Sequence, residues 1–179
     1  DEGSYINYAW NPTAGQWEHL ALIYNGTNVI TYRNGLLENS YLQSTGTIDA
    51  TTEPLLFGDI PPYNHCDASI DEVRISNVVR TIDWILTEYN NQNDPSTFYS
   101  VGSEGAGCSY SHRKQIAIQS SQVSGTSDHS NFPVLVNLTD NALRHIDSGG
   151  HVTDSNGYDI VFRASDEITQ LDHEIEEFD

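Results

Sequence analysis

The chain has 179 residues, 37% of them hydrophobic, with 26 acidic residues against seven basic ones and a formal net charge of -19. Such a length buries one large core or two small ones, and no apolar run is long enough to cross a membrane as a helix. An acidic surface of this size repels nucleic acid and anionic lipid, which excludes both as natural partners, and it suits calcium, a basic protein or a salty medium.

There is no methionine, and Lys114 is the sole lysine. The absence of a starting methionine and of a basic-then-apolar leader reads as an excerpt of a longer protein, cut at both ends.

Strand signals come first in chain order. Residues 17–24 form an apolar run that turns at Asn25-Gly26 into a second, residues 29–33, which turns again at Asn34-Gly35 into Leu36 and Leu37. Asn-Gly supplies the positive φ angles of tight hairpins, so a meander of antiparallel strands is predicted. "EPLLFGD" and "ASIDEVRIS" read as two further strands, separated by the proline-bearing loop "IPPYNH". "RTIDWILTEYNNQND" then carries Ile82, Ile85, Leu86 and Tyr89 at helical spacing, with Thr81 as N-cap and Pro95 past the end, and predicts a helix near 81–92.

After the short strand "TFYSVG", the small residues of "SEGAG" read as a linker, and a boundary is placed at 103–109. Strand patterns resume in "RKQIAIQ", "NFPVLVNL", "YDIVFRAS" and "QLDHEIEEF", with a short helix expected at "TDNALRHI" and a long loop at "DSGGHVTDSNG". Cys66 and Cys108 have no metal-ligand spacing and read as two free thiols, a bridge between them being the alternative in an exported protein. The fold expected is all-β.

Two resemblances sharpen this. "QWEHLA", the hairpin "YNGT", "YRNG", "LLFGD" and "IDEVRIS" followed by "VVRTIDWILTEYNNQNDP" resemble, in order, the C-terminal half of a laminin-G-like, concanavalin A-type jelly-roll domain of bacterial extracellular proteins. The resemblance implies an incomplete antiparallel sandwich over residues 1–102, with its N-terminal strands missing. "YSHRKQIAI", "SNFPVLVNLTD", "YDIVFRASD" and "LDHEIEEFD" resemble the opening of a small β-rich domain of unknown function from bacterial and archaeal surface proteins, over residues 110–179. Family membership is not function, since this sandwich hosts enzymes and binders alike.

Asp71 is the residue of "SIDEVRIS" that asks for an explanation. In a strand it shares a face with Val73 and Ile75, and a bare carboxylate among apolar side chains costs several kcal/mol unless paired or bound to a metal. The resemblance implies a structural calcium at an aspartate that opens this strand. Calcium takes about six to eight oxygens, and Asp59 and Asp67 are the further candidates, with Asn64 and Glu72 close in sequence. The alternative is an Asp71 held by backbone or arginine hydrogen bonds.

"LDHEIEEFD" would place Asp172, Glu174 and Glu176 on one strand face, a spacing compatible with the carboxylate pair of a glycosidase. The stretch lies in the second module, with no aromatic platform nearby, and reads as a solvated acidic face. None of the seven histidines forms a metal-binding helix pair, and His173 reads as a core histidine between Leu171 and Ile175. Trp17 and Trp84 fall in apolar patterns and read as core, which leaves Trp10, in "YAWNPTAG", as the tryptophan for ligand contact.

The expectation is a non-catalytic, secreted or surface-displayed recognition or adhesion module for glycan or another surface ligand. Calcium would hold loop geometry, the ligand would be a glycan or surface protein, and nucleic acid and membrane insertion are excluded. Two alternatives stand beside it: modules accessory to, or part of, a secreted glycoside hydrolase, and a structural spacer in a surface protein.

Overall fold

The computed structural model describes residues 12–42, 46–48, 52, 54–60, 64–65, 67–105 and 110–178, with the backbone alone for Leu42, Asp59, Ile60, Asn64 and His65. It is mostly β, built of small antiparallel sheets, with one helix longer than a turn. Two compact units divide it: Asp1–Asn93 with Ser120–Val134, and Asp94–Gln119 with Leu135–Asp179. The boundary read at 103–109 does not coincide with this division, because residues 120–134 pack with the helix of the first unit rather than with the second.

The first unit is organised by a three-stranded meander: β1 (Leu20–Tyr24), β2 (Asn28–Arg33) and β3 (Leu36–Leu42). The β1–β2 turn is held by Asn25, whose Oδ1 accepts from the backbone N–H groups of Thr27 and Asn28 at 3.0 and 2.7 Å. The β2–β3 turn is the predicted two-residue type, with φ of 51° at Asn34 and 75° at Gly35. A register shift between Thr31 and Tyr32 leaves Glu38 of β3 as the extra residue of a β-bulge. β4 (Asp59–Ile60) and β5 (Asn64–His65) form a two-residue ladder.

Helix α1 (Ile82–Asn93) matches the predicted span, and the Trp84 N–H bonds Thr81 Oγ1 at 3.2 Å as the N-cap requires. The pairing of Ala21 with Tyr32 and Ile23 with Ile30 puts all four on one sheet face. α1 lays Trp84 and Ile85 on that face to close the core, which Phe132 joins. The rings of Trp84 and Phe132 meet edge-on at 5.2 Å, and the Arg80 guanidinium lies 4.6 Å from the Trp84 ring centroid.

A polar knot fastens the returning segment to α1. Thr87 Oγ1 donates to the Asp83 carbonyl and accepts from the Ser124 N–H, Ser124 Oγ donates to Asp83 Oδ1, and His129 Nε2 sits 3.0 Å from the Ser124 carbonyl. These four residues satisfy one another, so Thr87 is buried without leaving an orphan hydroxyl.

In the second unit α2 (Pro95–Phe98) is a single turn with proline at its start, leading into β6 (Tyr99–Val101), which pairs with β7 (Ile116–Ile118). Phe98, Tyr99 and Val152 are buried here. The expected short helix at "TDNALRHI" is a 3-10 turn, Asn141–Leu143, capped by Asp140. β8 (Phe162–Arg163) and β9 (Gln170–Leu171) are all that forms of the last two predicted strands, and "NFPVLVNL" forms none.

Candidate functional site

The stretch 69–76 is not a strand. Glu72 takes a left-handed φ of 55°, which breaks the alternation on which the face assignment rested. Val73 and Ile75 are half-exposed and largely exposed, so no apolar face buries Asp71. Asp71 is itself exposed, and its Oδ1 accepts from the Glu72 N–H at 2.9 Å. The structural question that pointed to an ion is therefore answered by a neighbouring backbone amide.

Asp67 is exposed as well. Neither Asp67 nor Asp71 joins a third ligand-bearing side chain among the described residues, where the one such group is in the second unit. Asp59 opens β4 opposite His65, with its side chain outside what is described, and Trp10, Cys66 and Cys108 lie outside the described residues.

The structure builds an ion-pair cluster on α1 instead. Glu88, only 7% exposed, accepts from Arg74 Nη1 at 2.8 Å and lies 3.2 Å from His19 Nε2. Arg74 also grips Glu72, so one guanidinium bridges two carboxylates. Burial alone would push the Glu88 carboxyl up, but hydrogen bonds from His19 and Arg74 outweigh it and hold the carboxyl below its ordinary range. Glu18 is held low by the Arg33 guanidinium hydrogen-bonded to it. Both carboxylates are kept ionised, the opposite of the raised pKa that a general acid requires.

Trp17, read from the sequence as core, is 72% exposed, and Leu22 of β1 is 68% exposed. Leu22 alternates with the core residues Ala21 and Ile23 and so points to the sheet face away from α1. Trp17 precedes the strand, where alternation no longer governs it. Nothing but that position, three residues ahead of the first paired residue, marked it out in sequence.

In the second unit the acidic stretch 172–177 lies beyond β9, so its carboxylates do not form a strand-face row. His173 is exposed rather than core, its ring edge-on to Phe162 at 5.3 Å. An open cleft is lined by Arg144, His145, Ser148, Ser155 and Phe178. Glu104, His112 and His151 converge elsewhere in the same unit.

The first unit is thus a hairpin meander with a helix closing one face, in a chain that is mostly β. Residues 2–86 match the laminin-G family model described as the concanavalin A-like lectin/glucanases superfamily, so this stretch is a laminin-G-like segment, and the remainder carries no family assignment. No curated protein and no solved structure matches the chain. No helix among the described residues is long and apolar enough to cross a membrane.

Proposed function

We propose that the laminin-G-like segment is a non-catalytic recognition module of a secreted or surface-displayed protein, binding a glycan or another surface ligand. Its full form would be the jelly-roll sandwich that the concanavalin A-like family implies. The observation that carries the reading is the exposed indole of Trp17 in a segment of a lectin-bearing superfamily. A flat aromatic face takes the C–H face of a sugar ring and costs little conformational entropy to present.

Calcium is left out of this proposal, since Asp71 and Asp67 are exposed and join no third ligand-bearing side chain among the described residues. The test is a glycan array with the chain and with Trp17→Ala, backed by tryptophan fluorescence. A saturable glycan signal lost in the variant, with its far-UV circular dichroism unchanged, supports the proposal. Binding that survives the variant moves the ligand away from Trp17. Cleavage of a bound β-glucan would replace the binding reading with the hydrolase one.

A further inference from the structure

We infer that Glu104, His112 and His151 form a binding site for a divalent transition ion of the zinc class. His112 Nδ1 lies 2.7 Å from Glu104 Oε1, and His151 Nε2 lies 3.2 Å from the same oxygen. All three ligand atoms fall within 4.8 Å of one another. Tetrahedral zinc with ligands at about 2.0–2.1 Å sets neighbouring ligand atoms roughly 3.3 Å apart. Both distances are shorter than that value, so small side-chain rotations that open the cluster admit the ion.

The ligands stand on braced backbone rather than on free loops. Glu104 and His112 flank a two-way bridge in which the Gly105 and Arg113 amides exchange hydrogen bonds at 2.9 and 3.0 Å. This bridge extends the β6–β7 ladder through the Gly102 N–H bonded to the Gln115 carbonyl. His151 is fixed on the other side by its own N–H to the Ala142 carbonyl at 2.9 Å and by Val152 N–H to the Arg144 carbonyl at 3.2 Å. The preceding Gly150 packs so closely that a Cβ there would sit 1.9 Å from the Arg144 carbonyl oxygen.

The imidazoles of His112 and His151 stack with centroids 3.5 Å apart and planes 10° from parallel. Two protonated rings so placed would repel each other, whereas two neutral rings present both nitrogens to one cation. Lys114, the nearest fixed ammonium in sequence, is bound to Asp140. Two imidazoles and one carboxylate suit zinc, nickel or copper(II), not the oxygen-seeking calcium. A fourth position is left for water. The ion would tie the loop that bears His151 to the Gly105–Arg113 bridge beside His112.

The test is isothermal titration of the full chain with Zn²⁺ and with Ca²⁺, alongside Co²⁺ absorption, for the wild type, Glu104→Gln, His151→Ala and the control His173→Ala. Expected are one saturable Zn²⁺ site, no Ca²⁺ heat at that site and a visible Co²⁺ band of tetrahedral type. Loss of a ligand should weaken Zn²⁺ by more than about tenfold, as losing even an outer-shell partner does, while His173→Ala binds as the wild type does. All three variants change exposed side chains, and unchanged circular dichroism shows that they fold. Absence of saturable Zn²⁺ binding in the wild type overturns the inference. So does Zn²⁺ binding that His151→Ala and Glu104→Gln leave intact.

Discussion

Arg74 and Glu88 are joined by a 2.8 Å hydrogen bond that fastens the irregular stretch 69–76 to helix α1. Because His19 shares the same carboxylate, Glu88 links three parts of the first unit at once. Removing it leaves Arg74 with Glu72 alone and takes the carboxylate from the His19 ring in a part-buried site. Glu88→Ala is expected to cost about 2–3 kcal/mol, the range for hydrogen bonds to charged groups, read from the midpoint of urea unfolding. Glu88→Gln, which keeps an acceptor, should cost less.

Gly35 is required twice over. Its φ of 75° is strained for any side chain, and a Cβ there would meet Leu86 Cδ1 at 2.6 Å. Gly26, with φ of 91°, has nothing within 4 Å of the same position. Gly26→Ala should cost roughly 1 kcal/mol, the backbone penalty alone. Gly35→Ala should cost at least about 1 kcal/mol more, from overpacking against α1. Equal losses in the two variants would remove the packing role.

Acid should loosen the molecule in two places. Glu88 has a folded-state pKa below its ordinary 4.5, so its contribution is present above pH 4.5 and fades as pH falls through the folded value. Asp166 is lowered from 3.8 to about 2 by the Thr169 hydroxyl and by the Thr169 and Ile168 amides, which close the β8–β9 turn. Its contribution is therefore full above pH 3.8 and is lost as pH drops toward 2. Carboxyl chemical shifts followed from pH 5 to 1.5 should show Asp166 titrating last among the exposed aspartates, and Asp166→Asn should abolish the low-pH change at Thr169.

Melting curves in calcium and in excess chelator are expected to coincide, and Asp71→Asn is expected to lie within about 0.5 kcal/mol of the wild type, as exposed substitutions do. A calcium-dependent rise of the form RT ln(1 + [L]/Kd) that the variant abolishes would bring in donors from outside the described residues.

Features governed by neighbours in sequence were legible in it. The Asn34-Gly35 turn, the Thr81 cap and the span of α1 follow from local backbone preference and periodicity, and each is where the pattern put it. "SIDEVRIS" had the alternation of a strand, but a strand exists only when another backbone pairs with it, and residues 69–76 pair with none of the described strands. Trp17 was misread because an apolar residue beside a strand carries no face assignment until the strand's first pairing is known. The approach of His151 to His112 depends on a loop returning across a ladder, and no local spacing encodes that.

The interleaved chain of the first unit sets an order of assembly on the ribosome. Trp84 and Asp83 emerge well before Phe132 and Ser124, the residues that cover and fasten them. A nascent chain that has released the laminin-G-like segment still lacks part of its own core. Folding of the unit waits for the intervening residues 94–119 to be translated first. An expression boundary drawn at the end of the family match would therefore cut α1 itself and leave out Phe132 and Ser124, and one drawn after Val134 would not.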